Sequence, residues 1–421
     1  LRTKGSINIP KPLKYLALFF IFFGCLVNIN NEHPSIESVI VVLSTMVILL
    51  GNKDWLPKFI GVRLIEKIGD WSYSIYLVHW PLFAFAYLSY VGDVPTTVKI
   101  TITLLSILLG YLQFKYVEMP FRVGKFKAIF SSWKMTVSAT TLLLAVPIAY
   151  SYTAESNEDE FSHIRRVNHG LSRDCEGSFD ENNRLKNNCI KGDKPKIVVW
   201  GDSYAMHLVP GLSVKNKQFS QITKSFCGPF IGLAPISNKY DSIWAQECLT
   251  FNNNALTYIK NNNTISHVVL SVNFSNYLKF DGANYLTENG SIKSDYQLFI
   301  NAFKHTILEL KKLNITPIVF SPLPKTGFNI GECLEREFGT ALLLREGCTI
   351  NYNEAMHYQQ HVISTLKEIE SVVKVVWLKN YLCDNENCKV EINNTFIYRD
   401  VGHLTIDASV ELLKDIDITE L

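Results

Sequence analysis

The sequence predicts a multi-pass α-helical membrane segment followed by an α/β domain, in which a flavodoxin-like parallel sheet lies between two layers of helices. Three observations support this prediction. Five apolar runs lie within the N-terminal third of the chain. From about residue 195, short Val- and Ile-rich runs alternate with helical patterns. Eight of the nine cysteines follow the last apolar run.

The apolar runs resemble membrane-spanning helices, which need about 20 apolar residues to cross a bilayer core. They are Tyr15–Ile29, Ser38–Gly51 (short for a span), Tyr73–Val91, Val98–Val117 and Met135–Tyr152. Five runs are too many for a signal peptide and disfavour buried core helices of a soluble protein. Lysines and arginines are found in alternate loops, so the positive-inside rule predicts that the chain beyond the fifth run lies outside.

The cysteines predict disulfides in an oxidising compartment. Each of the eight has a near neighbour in sequence, although many connectivities are possible. The pairs expected from this proximity are Cys175–Cys189, Cys227–Cys248, Cys333–Cys348 and Cys383–Cys388. Zinc binding is the alternative, but the sequence has no C-x-x-C pair, so we expect no metal site.

Short apolar runs predict the strands of a parallel sheet, and the helical patterns between them predict its outer layers. The strands are expected at 196–200, 220–225, 267–273, 315–320 and 373–378, and two of the helices at 296–314 and 352–370. The predicted organisation is a membrane domain (1–130), a linking transmembrane helix (131–154), an extracytoplasmic linker or extension (155–194) and the sheet domain (195–421).

Gly-Asp-Ser at 201–203 follows the first predicted strand, at the end of a parallel sheet where ligand sites form. Ser203 is either a nucleophile or the N-cap of the next helix. A nucleophilic serine needs a base and a group that orients the base. Asp400 and His403 are three residues apart and can share one face of a turn. His207 has no acidic partner placed in this way, so we predict the triad Ser203, His403 and Asp400.

This constellation resembles the SGNH hydrolase family, the GDSL-like esterases. The resemblance implies that Ser203 is the nucleophile, that His403 is the general base and then acid, and that Asp400 orients His403. It also implies an oxyanion hole formed by the backbone N–H of Ser203, by Asn273 after the third strand and by Gly228 after the second, although the sequence around Gly228 matches poorly. The alternative for Asn273 is a turn residue at the end of a strand.

Two membrane motifs, "IEKIGDWSYSIYLVHWPL" (65–82) and "YVEMPFR" (116–122), resemble the late helices of the acyltransferase family 3 membrane proteins. One branch of that family carries a C-terminal SGNH domain, as in O-antigen and related polysaccharide O-acetyltransferases. The resemblance implies a bacterial inner-membrane protein with a periplasmic SGNH domain. With four spans before the linking helix, the chain is expected to be the C-terminal part of a longer protein or a truncated gene product, which leaves the donor-side residues unassigned.

The expected function is therefore O-acetylation of sugar hydroxyls on a cell-surface polysaccharide or its lipid-linked precursor. Acetyl-CoA is the expected acyl donor to the membrane domain, with no tightly bound cofactor. Membrane lipid is an expected partner, whereas the net charge of +2 gives no indication of nucleic-acid binding. Two alternatives stay open: an extracytoplasmic carbohydrate esterase with water as the acceptor, and a glycan-binding module without catalysis.

Overall fold

The structure is a computed structural model. It describes residues 9–26, 36–50, 60–90, 94–124, 164–237, 239–278, 284–338 and 347–421, with isolated positions between 133 and 149. The chain divides into two compact units. The first is Leu1–Pro81 with Ile102–Lys125, and the second is Leu82–Thr101 with Phe126–Leu421.

In the described residues of the N-terminal part, the first four predicted membrane runs lie on helices. The helices are α1 (Lys11–Leu26), α2 (Ile36–Leu50), α3 (Ile60–Ser89), α4 (Thr96–Gln113) and α5 (Met119–Arg122), with a π-helical turn (Phe114–Glu118) joining the last two. Within the described residues, one helix, Thr96–Arg122, is long and apolar enough to cross a membrane. Multi-pass insertion therefore stays a prediction, and half of the fifth predicted run lies outside the described residues.

The second unit contains a six-stranded sheet with the strand order β1-β3-β2-β5-β8-β10. All five predicted strands are present and mutually parallel, whereas β1 joins the edge antiparallel to β3. The strands are β1 (Ile190–Lys191), β2 (Ile197–Gly201), β3 (Phe219–Thr223), β4 (Ala234–Ile236), β5 (His267–Ser271), β6 (Asn284–Thr287), β7 (Gly290–Lys293), β8 (Thr316–Phe320), β9 (Ile350–Asn351), β10 (Lys374–Val376), β11 (Asn387–Cys388), β12 (Glu391–Ile392) and β13 (Thr395–Phe396). Strands β4, β6 and β7 form a separate antiparallel sheet.

Helices cover both faces of this sheet. They are α6 (Ser203–Met206), α7 (Val209–Lys215), α8 (Ser242–Asn261), α9 (Tyr296–Lys312), α10 (Ile330–Phe338), α11 (Tyr352–Tyr358), α12 (Gln360–Ile369), α13 (Lys379–Leu382) and α14 (Ile406–Leu413). Successive residues of a strand face opposite sides, so Val198 and Trp200 pack in one core cluster and Ile197 and Val199 in the other. The α/β arrangement predicted from the sequence is thus confirmed.

The predicted helix 352–370 is interrupted at Gln359, which separates α11 from α12. The buried side chain of Gln359 accepts a hydrogen bond from the N–H of Lys325 (3.0 Å) and donates one to the carbonyl of Leu323 (3.0 Å). These two hydrogen bonds of Gln359 hold the loop after β8 in place.

Four disulfides stabilise the second unit. They are Cys175–Cys189, Cys227–Cys248, Cys333–Cys348 and Cys383–Cys388, the pairs expected from proximity in the sequence. Cysteines in disulfides are not zinc ligands, so the alternative that these eight cysteines bind zinc is excluded. Disulfides persist outside the cytoplasm, which indicates an extracytoplasmic domain.

Candidate active site

Ser203 is the first residue of α6, two residues after the last residue of β2. Gly201 lies so close to β5 that a Cβ atom at this position would overlap the carbonyl oxygen of Ser271, so a side chain does not fit there. Asp202 is the N-cap of the helix, because its Oδ1 accepts a 2.8 Å hydrogen bond from the N–H of Tyr204. The interpretation of Ser203 as the N-cap is therefore wrong.

The structure brings the three predicted catalytic residues together. The Oγ of Ser203 lies 2.8 Å from Nε2 of His403, although the two residues are 200 positions apart. Nδ1 of His403 lies 2.9 Å from both carboxylate oxygens of Asp400. This is the geometry of a nucleophile, its base and the group that orients the base.

Asp400 is held in its ionised form. Burial alone would raise its pKa, but the hydrogen bond and charge of His403, the N–H of Gly402 and the guanidinium of Arg399 together hold the pKa well below its ordinary value. The Arg399 guanidinium lies 2.9 Å from Oδ2 of Asp400. An ionised carboxylate keeps the proton on Nδ1 of His403, which leaves Nε2 free to accept the hydroxyl proton of Ser203.

Asn273 lies just beyond β5 and is tied to the turn that holds Ser203. Its backbone N–H donates a 3.0 Å hydrogen bond to Oδ2 of Asp202. Its side-chain Oδ1 is buried and has no hydrogen-bond partner among the residues that the structure describes. The unpaired atom is the amide oxygen, which is an acceptor; because buried polar atoms are nearly always paired, this oxygen points to a ligand that supplies a hydrogen-bond donor.

The comparison with protein families concerns the same region. Residues 174–417, more than half of the chain, match the model of the SGNH domain that is fused to AT3 domains. The chain belongs to this family. The match contains Ser203, Asn273, Asp400 and His403. Residues 174–417 are called the SGNH domain from here on.

Curated relatives match over shorter stretches. The O-acetyltransferase OatA of Staphylococcus aureus strain MRSA252 is 36% identical over 89 residues, which is 21% of this chain and 15% of that protein. OatA of strain NCTC 8325 is 33% identical over 103 residues, which is 24% of this chain and 17% of that protein. Another Staphylococcus aureus protein, from strain COL, is 26% identical over 153 residues, or 24% of its length. The chain thus spans about a quarter or less of the curated relatives it matches.

Among solved structures, the chain is similar to the periplasmic domain of a lipopolysaccharide acetyltransferase from Salmonella ser. Paratyphi A. The two are 22% identical, with a TM-score of 0.41, and the alignment covers 60% of this chain and 91% of the other.

Gly228 of the SGNH domain is placed differently from the prediction. Its backbone N–H donates a 2.7 Å hydrogen bond to the hydroxyl of Tyr277, and that hydroxyl donates to the carbonyl of Phe226 (3.2 Å). The predicted contribution of Gly228 to the oxyanion hole is therefore corrected, because its N–H already has a partner. Gly228 instead closes the loop after β3 against the loop after β5.

Two further rings next to His403, and a lysine that contacts one of them, were not assigned from the sequence. The ring of Tyr204 lies 4.7 Å from that of His403, and the ring of His207 meets it edge-on at 5.7 Å. Nδ1 of His207 accepts the N–H of Leu404 (3.3 Å), and Nζ of Lys325 donates to the Tyr204 hydroxyl (3.1 Å). Burial lowers the pKa of His207 well below its ordinary value, so this ring is neutral. The sequence signal that could have placed His207 near the catalytic residues is its position four residues after Ser203, one helical turn away.

Proposed function

We propose that this chain belongs to a membrane-bound O-acyltransferase that transfers an acetyl group to a sugar hydroxyl of a cell-surface polysaccharide. The observation that carries the proposal is the 2.8 Å contact between Ser203 Oγ and His403 Nε2, with Asp400 on the other side of the ring. Membership of the SGNH family and the named O-acetyltransferase relatives support this reaction class.

In the first half-reaction, the Ser203 hydroxyl attacks the carbonyl carbon of the acyl donor while His403 takes its proton. The negative oxygen of the tetrahedral intermediate is stabilised by the N–H of Ser203 and the side-chain amide of Asn273. Each such donor contributes about 2.7–4 kcal/mol. His403 then protonates the leaving group, and the acyl group remains on Ser203 as an ester.

In the second half-reaction, a sugar hydroxyl gives its proton to His403 and attacks the ester carbonyl. The bond to Ser203 Oγ breaks, His403 returns the proton to that oxygen, and the sugar leaves as its acetyl ester. An esterase would use the same steps with water in place of the sugar. The acceptor therefore decides between transfer and hydrolysis.

We assign the binding of the acyl donor to the membrane part of the protein. Residues 1–130 would belong to an acyltransferase family 3 domain, 131–154 to the linking helix and 155–194 to the extension, with the sheet domain at 195–421 in the periplasm of a bacterium. Acetyl-CoA would supply the acetyl group, and the acceptor would be a polysaccharide such as O-antigen or its lipid-linked precursor. The family description, an SGNH domain fused to AT3 domains, supports this organisation.

The proposal is tested with the full chain in detergent, using p-nitrophenyl acetate as the donor. We expect p-nitrophenol release that Ser203→Ala abolishes, and faster release with an acetylated sugar product when an acceptor glycan is added. Release unaffected by Ser203→Ala would overturn the role of Ser203. Release that depends on Ser203 but yields only acetate with every glycan would favour the esterase.

A further inference from the structure

An open groove of about 900 Å³ lies in the SGNH domain between the extension and α8. One wall is the turn at residues 177–183, and the other is the exposed side of α8, including Gln246 and Thr250. Asn254 of α8 donates a 2.7 Å hydrogen bond to Asn183 of the turn and so joins the two walls. Lys224, in the loop after β3, forms a 2.9 Å salt bridge with Glu247 of α8. The two α8 residues are seven positions apart, or about 10 Å along the helix.

The wall formed by the extension is rigid. Oδ1 of Asp180 accepts hydrogen bonds from the N–H groups of Asn182 (2.9 Å) and Arg184 (2.8 Å), which closes the turn. The N–H of Gly177 bonds to the carbonyl of Thr223 at the end of β3 (2.9 Å). The Cys175–Cys189 disulfide ties the base of the extension, and Cys227–Cys248 ties the loop after β3 to α8. The groove therefore exists before any ligand binds.

The lining combines apolar carbon with amide and carboxylate groups. Phe179 packs edge-on against Phe251 (ring centroids 5.4 Å apart) between the two walls. Gln246, Asn183 and Asn254 supply amides. Sugar rings present apolar C–H faces and hydroxyls that both donate and accept hydrogen bonds, so they suit an apolar surface with a few polar groups beside it.

The charges of the groove are largely paired. The carboxylate of Asp180 lies 3.1 Å from the Arg184 guanidinium, and that of Glu247 is bound by Lys224. Glu181, which also lines the groove, is not part of either pair. This balance suits an uncharged ligand, and the remaining negative charge disfavours an anionic one.

One residue of the groove also borders the segment that carries Ser203. Lys224, which lines the groove, donates its backbone N–H to the carbonyl of Gly201 (3.2 Å), two residues before Ser203. Lys224 follows β3 at the carboxyl end of the parallel sheet, the end at which Ser203 follows β2, so a glycan that extends from the groove past Lys224 would reach the end of the sheet that carries the serine.

We propose that this groove binds uncharged sugar units of the acceptor glycan and so presents an adjoining unit to Ser203. This inference rests on the proposed function, because it assigns the acceptor of that reaction to a second site. It assigns the extension at residues 177–183 to substrate binding.

The test measures binding to the full chain in detergent carrying Ser203→Ala, so that chemistry plays no part. The probes are maltohexaose, cellohexaose, mannohexaose and N-acetylchitohexaose, with hexagalacturonate as the anionic comparison, and titration calorimetry gives Kd. We expect at least one neutral hexasaccharide to bind and hexagalacturonate not to bind. Binding of none of the neutral probes, or tighter binding of hexagalacturonate, would overturn the proposal.

Two matched variants locate the site. Thr250 and Thr257 are exposed on α8, and each hydroxyl bonds the carbonyl four residues earlier. Thr250 lines the groove, whereas Thr257 lies one helical turn beyond the Asn183–Asn254 contact. Thr250→Trp should raise Kd at least tenfold and Thr257→Trp should not, with melting curves confirming that both fold. Equal effects would overturn the proposal.

The proposed function is tested separately, by comparing p-nitrophenol release by the chain with Ser203 intact and by Ser203→Ala. Release of p-nitrophenol that does not depend on Ser203 would remove the acyltransferase proposal. It would leave the measured binding in the groove unaffected.

Discussion

Oδ2 of Asp202 accepts a 3.0 Å hydrogen bond from the backbone N–H of Asn273. The other oxygen of this fully buried carboxylate caps α6 through the N–H of Tyr204. A single carboxylate thus fixes the turn that carries the nucleophile relative to the loop that carries the proposed oxyanion donor.

The first prediction concerns pH. Burial raises the pKa of Asp202 from 3.8 to about 6, against the opposing effect of the two N–H groups. Because the folded pKa is higher than the unfolded one, the folded state binds the proton more tightly. The contribution of Asp202 to stability is therefore greatest below about pH 4 and falls by about 3 kcal/mol as the pH rises through about 6.

Chemical denaturation of the wild type and Asp202→Asn between pH 4 and 7 measures this effect. The unfolding free energy of the wild type minus that of Asp202→Asn should fall as the pH rises, because the wild type loses the contribution of the protonated carboxyl whereas asparagine does not titrate. A difference that stays constant over this range would contradict the assignment.

The second prediction concerns Asp400. Asp400→Asn leaves the shape of the site intact but removes the ionised group that keeps the Nδ1 proton of His403 in place, so kcat should fall by about 10⁴-fold. Glu411→Gln is the control, because this carboxylate bonds only Lys414 and Asn393 at the surface in the contacts described. A loss below tenfold in Asp400→Asn would show that His403 needs no ionised partner.

The third prediction concerns His207 as a positioning residue. His207→Phe removes the acceptor for the N–H of Leu404, next to His403, and leaves this donor unpaired in a buried place. We expect stability to fall by about 1–3 kcal/mol, and kcat to fall with KM for p-nitrophenyl acetate unchanged. His207→Asn, whose Oδ1 can replace Nδ1 as the acceptor, should recover most of kcat. Equal kcat values in both variants would contradict the role.

The fourth prediction compares two disulfides. Cys227–Cys248 closes a loop of 21 residues and Cys383–Cys388 one of 5. Replacing both cysteines by alanine should cost about 3 kcal/mol for the first pair and about 2 kcal/mol for the second, since longer loops lose more entropy on closure. Chemical denaturation of the two variants measures the loss of unfolding free energy. A larger loss on removal of Cys383–Cys388 than on removal of Cys227–Cys248 would contradict this order.

Much of the SGNH domain could be predicted from the sequence, because its signals are local. Most of the buried strands are short β-branched runs, and β2 begins and ends within one residue of the expected 196–200. The disulfide pairs were also expected, since each cysteine bonds its near neighbour. The contact between Ser203 and His403 was expected from Gly-Asp-Ser after the first strand and from Asp-x-x-His near the C-terminus, the two parts of a serine triad.

Other features depend on contacts between distant segments, which the sequence does not display. The N–H of Gly228 is used by Tyr277, 49 residues later, so its position after a strand was misleading. Lys325 reaches Tyr204 across 121 positions and gave no local signal. Residues 155–194 were expected to form an extracytoplasmic linker or extension. The groove could not be predicted, because it depends on how residues 177–183 pack beside α8.

The central claim is that Ser203 carries the acyl group. The most direct test is to incubate the full chain with p-nitrophenyl acetate, quench it in acid and map acetylated peptides by mass spectrometry. We predict an acetyl group on Ser203 in the peptide that contains residues 196–212, and none on this peptide in Ser203→Ala. Ser203-dependent turnover with acetyl found only on another residue, or the same labelling in Ser203→Ala, would contradict the account.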